Sequence, residues 1–322
     1  MTLLSSIIAL VIGFIVLIFS AHKLTDNGSK IANIYKISPL IIGILIFGFG
    51  TSAPEIFVSL LAAFEGTPEL AVGNAIGSNI LNIALVLGIT AMILPIEVNI
   101  DVIRKDGFFL IFATLAAGLL LWIGKDLSRI DGFILIILLA IFLWITYKDQ
   151  KKDHHKFDNL SSNVDINQKK EIWVKLFFAL IFLLASAQLI VFSATKLADY
   201  YHVSDLIIGL TVVALGTSLP ELAVAITSAI KKQHEMIVGN IIGSNIFNTL
   251  AVLAIPGLIS PLKLQKELLI TDYFYMLGLT IALAIFFLYS PVTKMKDTIS
   301  RLEGFGLIIL LSIYIYIRFL SP

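Results

Sequence analysis

The chain has 322 residues, 58% of them hydrophobic and 14% charged, with a mean hydropathy of +0.97 and a formal net charge of +1. That balance excludes a soluble globular domain, and the absence of cysteine removes disulfides, iron–sulfur clusters and thiolate zinc sites. What remains is an integral membrane protein with the lipid bilayer around it and no nucleic-acid partner.

A helical crossing of the bilayer core needs about 20 mainly apolar residues. Ten such spans are read, at 3–22, 38–64, 70–94, 106–123, 130–147, 172–198, 204–230, 236–259, 268–289 and 303–320. They are too long and too uniformly apolar for the alternating strands of an outer-membrane barrel, so the fold class is an all-α polytopic membrane protein.

In chain order, no Lys or Arg precedes Lys23, so the first span lacks the basic region of a signal peptide and is expected to be a retained helix with its N-terminus outside. The second span carries GTSAPE at residues 50–55 and the third VGNAIGSNILN at 72–82. Spans four and five are apolar and read as scaffold against lipid. Residues 148–170, KDQKKDHHKFDNLSSNVDINQKK, are the longest polar stretch and read as a cytoplasmic linker, with Asp153, His154 and His155 a solvated charge run rather than a metal site. The seventh span carries GTSLPE at 216–221 and the eighth VGNIIGSNIFN at 238–248. Spans nine and ten again read as scaffold without buried charge, and most remaining acids, Asp272 among them, read as solvated. Spans one and six lack internal acids and are candidates to slide against the bundle that carries the motifs.

With the N-terminus outside, the odd-numbered loops face the cytoplasm. Of the 23 basic residues, Lys175 falls inside a span and six, Lys125, Arg129, Lys196, Lys263, Lys266 and Arg318, fall on the outer side. The other sixteen are cytoplasmic, which favours both termini outside by the positive-inside rule. The expected location is the inner (plasma) membrane.

Residues 38–89 align with 204–255 without a gap, at about half of the positions identical. Five crossings separate the copies, an odd number, so the second is expected to insert upside down relative to the first. That is the inverted-repeat plan of secondary transporters, whose sites lie at the midplane between the halves. The expected organisation is a first five-helix repeat over 1–147, the linker 148–170 and a second repeat over 171–322.

Pro54 and Pro220 lack an N–H and crowd the carbonyl four residues earlier, so the helices are expected to break there, freeing carbonyls over 48–50 and 214–216. Thr51, Ser52, Thr217 and Ser218 add hydroxyls, and Glu55 and Glu221 follow within a turn. Thr51 and Glu55 share a helix face, as do Ser78 and Asn82 and, in the second copy, Ser244 and Asn248. Asn79 and Asn245 read as structural, and the glycines beside them as close helix packing. Two carboxylates with hydroxyl, amide and backbone oxygens suit hard cations such as Ca2+ and Na+. The simpler alternative, that each glutamate merely anchors a helix bend, leaves the joint duplication of Pro, Glu and hydroxyls unexplained.

These motifs resemble the cation/calcium exchanger superfamily, the group containing the sodium/calcium exchangers, whose two alpha repeats look like the GTSxPE helices followed by GNxIGSN. The resemblance implies ten helices with both termini outside and exchange of several Na+ ions for one Ca2+. It implies cation ligation by Thr51, Ser52, Glu55, Ser78 and Asn82, by Thr217, Ser218, Glu221 and Ser244, and by the carbonyls of Gly48 and Ala214. Asn248 departs from the pattern, since some members carry aspartate there, which removes a third carboxylate and leaves stoichiometry and potassium dependence open.

Several functions remain after this reading. Na+/Ca2+ antiport leads, with Ca2+/H+ antiport on the same residues as its rival. A channel fits broken helices and inverted halves less well than an occluding carrier. An intramembrane enzyme with Ser52 or Ser218 as nucleophile lacks a histidine at membrane depth. No GxxxxGK[ST] loop is present, so no nucleotide is expected, and no cofactor beyond the transported ions.

Overall fold

The computed structural model describes residues 3–98, 100–153, 166–201, 214–266, 268–288 and 298–320. They are almost wholly helical. Among the described residues, eight helices are long and apolar enough to cross a membrane: Leu3–Tyr35, Pro39–Phe64, Pro68–Ile93, Arg104–Gly124, Arg129–Lys148, Ile166–Ala198, His234–Ile259 and Leu268–Phe287. Shorter apolar helices cover Leu219–Ile230 and Arg301–Ile315, the latter prolonged by a π-helical turn over Tyr316–Leu320. The start of the expected 204–230 span and residues 154–165 of the linker lie outside the described residues.

The expected first and sixth spans, 3–22 and 172–198, are both too short. Their helices run over Leu3–Tyr35 and Ile166–Tyr200, and 33 residues at about 1.5 Å each exceed a hydrocarbon core of roughly 30 Å. Polar residues that read as loop stay helical because partners satisfy them. Asp26 meets Lys231 Nζ at 2.6 Å and His22 Nε2 at 3.3 Å, while Asn27 Nδ2 donates to the Lys23 carbonyl at 2.7 Å. The two long helices pack along each other around Leu17, Ala21, Leu24, Leu183 and Ala187.

A second and larger core lies in the middle of the bundle, where Ile76, Ile80 and Ile83 of one copy meet Ile237, Ile241 and Ile246 of the other. Burial of this kind leaves the backbones close. A Cβ on Gly239 would lie 2.3 Å from the Leu40 carbonyl oxygen, and one on Gly243 2.6 Å from that of Ile44. The start of the Pro39–Phe64 helix therefore packs backbone to backbone on His234–Phe247, crossing from one copy to the other.

Secondary structure repeats with the sequence. Ala53–Phe64 corresponds to Leu219–Ile230, Pro68–Leu81 to His234–Phe247, Gly88–Ile93 to Ala254–Ile259, and the short strand Ile96–Glu97 to Leu262–Lys263. Each strand pairs antiparallel with one from the other half of the chain, Ile96 opposite Ile299 and Asp126 opposite Lys263. The helices that follow the partner strands Asp126–Leu127 and Thr298–Ile299 start alike, SRIDGF from Ser128 and SRLEGF from Ser300. Ser128 donates from its N and Oγ to Asp131 Oδ2 at 2.9 and 2.6 Å, and Ser300 does so to Glu303 Oε2 at 2.7 and 2.8 Å. Both are helix N-caps that satisfy otherwise unpaired donors.

The reading of spans nine and ten as free of buried charge needs correction. Asp272, 7% exposed, takes a hydrogen bond from Tyr314 at 3.0 Å and lies 3.1 Å from Arg318 Nε. Tyr314 and Arg318 are four residues apart on one helix and clasp a carboxylate on its neighbour, which ties the last two helices together.

Candidate functional site

In both copies the motif helix breaks at the serine. Ser52 has φ −78° and ψ 4°, Ser218 φ −90° and ψ 3°, and helix resumes at Ala53 and Leu219. Pro54 and Pro220 then sit in the first turn of the new segment, where a missing N–H costs nothing. The break therefore precedes the proline by two residues. The carbonyls expected to be free are partly engaged: Gly48 O accepts from Ser52 N at 3.3 Å and from Ser244 Oγ at 3.3 Å, and Gly50 O accepts from Ser52 N. Ala214 lies in the short helix Ala214–Thr217.

Glu55 is 1% exposed and Glu221 0%. Each acid lies beside hydroxyls of the other copy, Glu55 beside Thr217, and Glu221 beside Thr51 and Ser52, with the two carboxylates within electrostatic reach of one another. Ser78 donates to Glu55 Oε1 at 3.4 Å, and Thr51 donates to the Phe47 carbonyl at 2.8 Å. Asn82 and Asn248 open π-helical turns, Asn82–Leu87 and Asn248–Val252, a distortion frequent at functional sites. Ser244 and Asn248 are fully buried.

The hydrogen-bond ledger of this cluster is open. Ser52 Oγ, Ser218 Oγ, Glu55 Oε2, both carboxylate oxygens of Glu221 and both amide atoms of Asn82 and Asn248 have no hydrogen-bond partner among the described residues. The residues that carry these atoms form matched pairs across the repeat, with one more free oxygen on Glu221 than on Glu55. Leaving one buried polar group unsatisfied costs about 1–3 kcal/mol, and more for a charged one. Two buried carboxylates without a Lys or Arg partner require a proton or a cation beside them. No group of three or more His, Cys, Asp or Glu occurs among the described residues, so the donor set here is two acids plus neutral oxygens.

Asn79 and Asn245 make structural hydrogen bonds through Nδ2, while the Oδ1 of each has no hydrogen-bond partner among the described residues. Asn79 Nδ2 donates across the copies to Thr249 Oγ1 at 2.8 Å, and Asn245 Nδ2 to its own helix at the Ile241 carbonyl at 2.7 Å. Sequence reasoning missed Asn74 and Asn240. Asn74 Nδ2 donates to the Glu55 carbonyl at 3.0 Å and Asn240 Nδ2 to the Glu221 carbonyl at 3.4 Å, so each fixes the backbone from which an acid projects. Both stand one turn before Ser78 or Ser244 in the duplicated GN, a signal that was present in the sequence.

Residues 5–148 and 171–320 match the family described as sodium/calcium exchanger protein. The chain belongs to the sodium/calcium exchanger family. Among its exchanger-family relatives, the putative antiporter CaxA of Alkalimonas amylolytica is 38% identical over 328 residues, covering 99% of this chain and 100% of that protein. The inner membrane protein YrbG of Escherichia coli K12 is 37% identical over 284 residues, 86% of each chain. The structure of the sodium-calcium exchanger NCX_Mj soaked with 10 mM Na+ and 10 mM Sr2+ superposes with a TM-score of 0.83 at 31% identity, covering 100% of both chains. This exchanger-family protein is a membrane antiporter, not an enzyme.

Proposed function

We propose that this antiporter exchanges Na+ for Ca2+ by alternating access, through one cation site shared by two inverted halves. The halves are the five-helix repeats 1–147 and 171–322 of a ten-helix bundle, joined by the cytoplasmic linker 148–170, with both termini outside the inner membrane. Thr51, Ser52, Glu55, Ser78, Asn82 and the Gly48 carbonyl form one wall. Thr217, Ser218, Glu221, Ser244, Asn248 and the Ala214 carbonyl form the other. The observation that carries this reading is the matched set of buried oxygens without hydrogen-bond partners around two facing glutamates. Two carboxylates balance the charge of one Ca2+ or two Na+, and the neutral oxygens fill a hard cation's shell.

The long pair Leu3–Tyr35 and Ile166–Tyr200 is the moving part in this proposal. Its core is separate from the central one and takes in Ile42, Phe47, Val224 and Met236 of the site-bearing bundle, which it meets where Gly28 admits the Phe47 ring, a Cβ there falling 2.7 Å from Cζ. Sliding at such a contact exposes the site to one side at a time.

The test loads liposomes containing the protein with Na+, dilutes them into Na+-free buffer and follows Ca2+ uptake. Uptake that requires the Na+ gradient and disappears in Glu55→Gln is expected. Uptake that ignores Na+ and follows a pH gradient would replace Na+ by H+ as the coupling ion, and no Ca2+ movement under either gradient would remove Ca2+ as substrate.

A further inference from the structure

A groove of about 680 Å3 opens between the two long helices. Its first wall runs from Ile15 to Lys30 along one face of Leu3–Tyr35, and its second from Val174 to Phe182 along Ile166–Tyr200. The shallow end carries Lys23, Lys30 and Lys175. Toward the core from the lysines lie aromatic rings, Phe178 one turn and Phe182 two turns beyond Lys175 and Phe19 one turn beyond Lys23, each at least half exposed. Asp26 is already paired with Lys231, and Glu171, one turn before Lys175, pairs with that lysine, so Lys23, Lys30, Lys175 and Lys231 face two acids and the mouth keeps an excess of positive charge.

The positions fit a membrane interface. Beyond the lysines, Trp173 Nε1 donates to Tyr35 Oη at 3.1 Å, and Lys169 lies over the Tyr35 ring at 5.9 Å. Trp and Tyr collect at the headgroup level of a bilayer. From Lys23 to Lys30 the helix rises about 10 Å, on the order of the polar layer, and from Lys23 back to Ile15 it rises about 12 Å into the core. A cationic mouth at headgroup depth above an aromatic slot at acyl depth is complementary to a molecule with an anionic head and an apolar tail.

We propose that this groove binds an anionic phospholipid, its phosphate among Lys23, Lys30 and Lys175 and an acyl chain against Phe19, Phe178 and Phe182. The occupant is a lipid rather than a free anion because most of the lining is apolar. The lipid bridges both long helices, so its binding biases how they sit against each other, whichever cations the antiporter carries.

Native mass spectrometry of the purified chain titrated with phosphatidylglycerol or phosphatidylcholine of equal acyl length tests this. Preferential retention of phosphatidylglycerol is expected, lowered on the order of tenfold in Lys23→Gln/Lys30→Gln/Lys175→Gln and unchanged in Arg104→Gln/Lys105→Gln/Lys148→Gln. Equal retention of the two lipids, equal losses in the two triple variants, or displacement by glycerol phosphate at the same concentration would overturn the proposal. In a Trp122→Phe/Trp144→Phe background, where Trp173 is the one tryptophan left, brominated phosphatidylglycerol should quench its fluorescence more than brominated phosphatidylcholine does. Equal quenching counts against the groove.

Discussion

The two copies of the duplicated segment share helix boundaries, yet they support their glutamates differently. Around Glu55 the first copy is tied by its own residues: Asn74 reaches both the Glu55 carbonyl and Ser59 Oγ at 3.1 Å, Ser59 donates to the Ala71 carbonyl at 3.4 Å, and Ser78 reaches the carboxylate. Around Glu221 the second copy has Ala225 where the first has Ser59, and neither carboxylate oxygen has a hydrogen-bond partner among the described residues. Its Asn240 is instead 3.5 Å from Thr51 of the first copy. One scaffold built twice thus holds one acid locally and leaves the other to be satisfied across the interface, so the second copy depends more on what binds between them.

The largest expected effect is on transport. Glu55→Gln and Glu221→Gln each remove one of the two charges that balance the cation, and Ca2+ flux in liposomes should fall at least about a hundredfold in both, as expected when a charged partner worth roughly 3 kcal/mol or more is lost. Thermal melting sharpens the comparison. Without Ca2+ and Na+, Glu221→Gln should stabilise the protein more than Glu55→Gln, because the replaced carboxylate has fewer partners. Stabilisation by added Ca2+ should shrink in both variants. Equal melting temperatures would mean that the two acids are equivalent after all.

Next in size is the packing between copies. Gly239→Ala places a methyl 2.3 Å from the Leu40 carbonyl, a backbone atom that cannot rotate away. Overpacking of this sort costs about 1–3 kcal/mol. A lowered melting temperature is expected, with transport reduced in those molecules that still fold. Unchanged melting would show that the contact between Pro39–Phe64 and His234–Phe247 relaxes easily.

Smaller still is the contrast between Asn79 and Asn245. Asn79→Ala breaks a bond that joins the copies, whereas Asn245→Ala breaks one within a helix that already has its backbone ladder. About 1–2 kcal/mol is expected for the first and under about 1 kcal/mol for the second, read by denaturation in detergent. Reversed order would mean that the cross-copy bond is not what couples the halves.

The duplicated motif made the candidate site legible, since Glu, Pro, hydroxyls and amides recur together at fixed spacing. Elements whose partners lie far off in sequence were harder to see. Lys23, Asp26 and Lys30 look like a loop until Lys231 is seen beside Asp26, and Asp272 looks solvated until Arg318 closes on it. The paired caps at Ser128 and Ser300 were visible in SRIDGF and SRLEGF, but they follow connections of different length and fall outside a gapless alignment. Local spacing was readable, and distant satisfaction of polar groups was not.

That lesson gives the mildest test of the comparison between copies. Ser59→Ala makes the first copy like the second at this position, where Ala225 stands. Asn74 keeps its bond to the Glu55 carbonyl and loses only the Ser59 hydroxyl, so the carboxylate should stay in place. A stability loss below about 1 kcal/mol is expected, with Ca2+ flux within about twofold of wild type. The reciprocal Ala225→Ser offers Asn240 a local partner and should draw it from Thr51, with an equally small effect on stability. If instead Ser59→Ala reduced flux as strongly as a glutamate substitution, the local tie on Glu55 would belong to the transport machinery itself, and the asymmetry between copies would be a functional requirement rather than a tolerated difference.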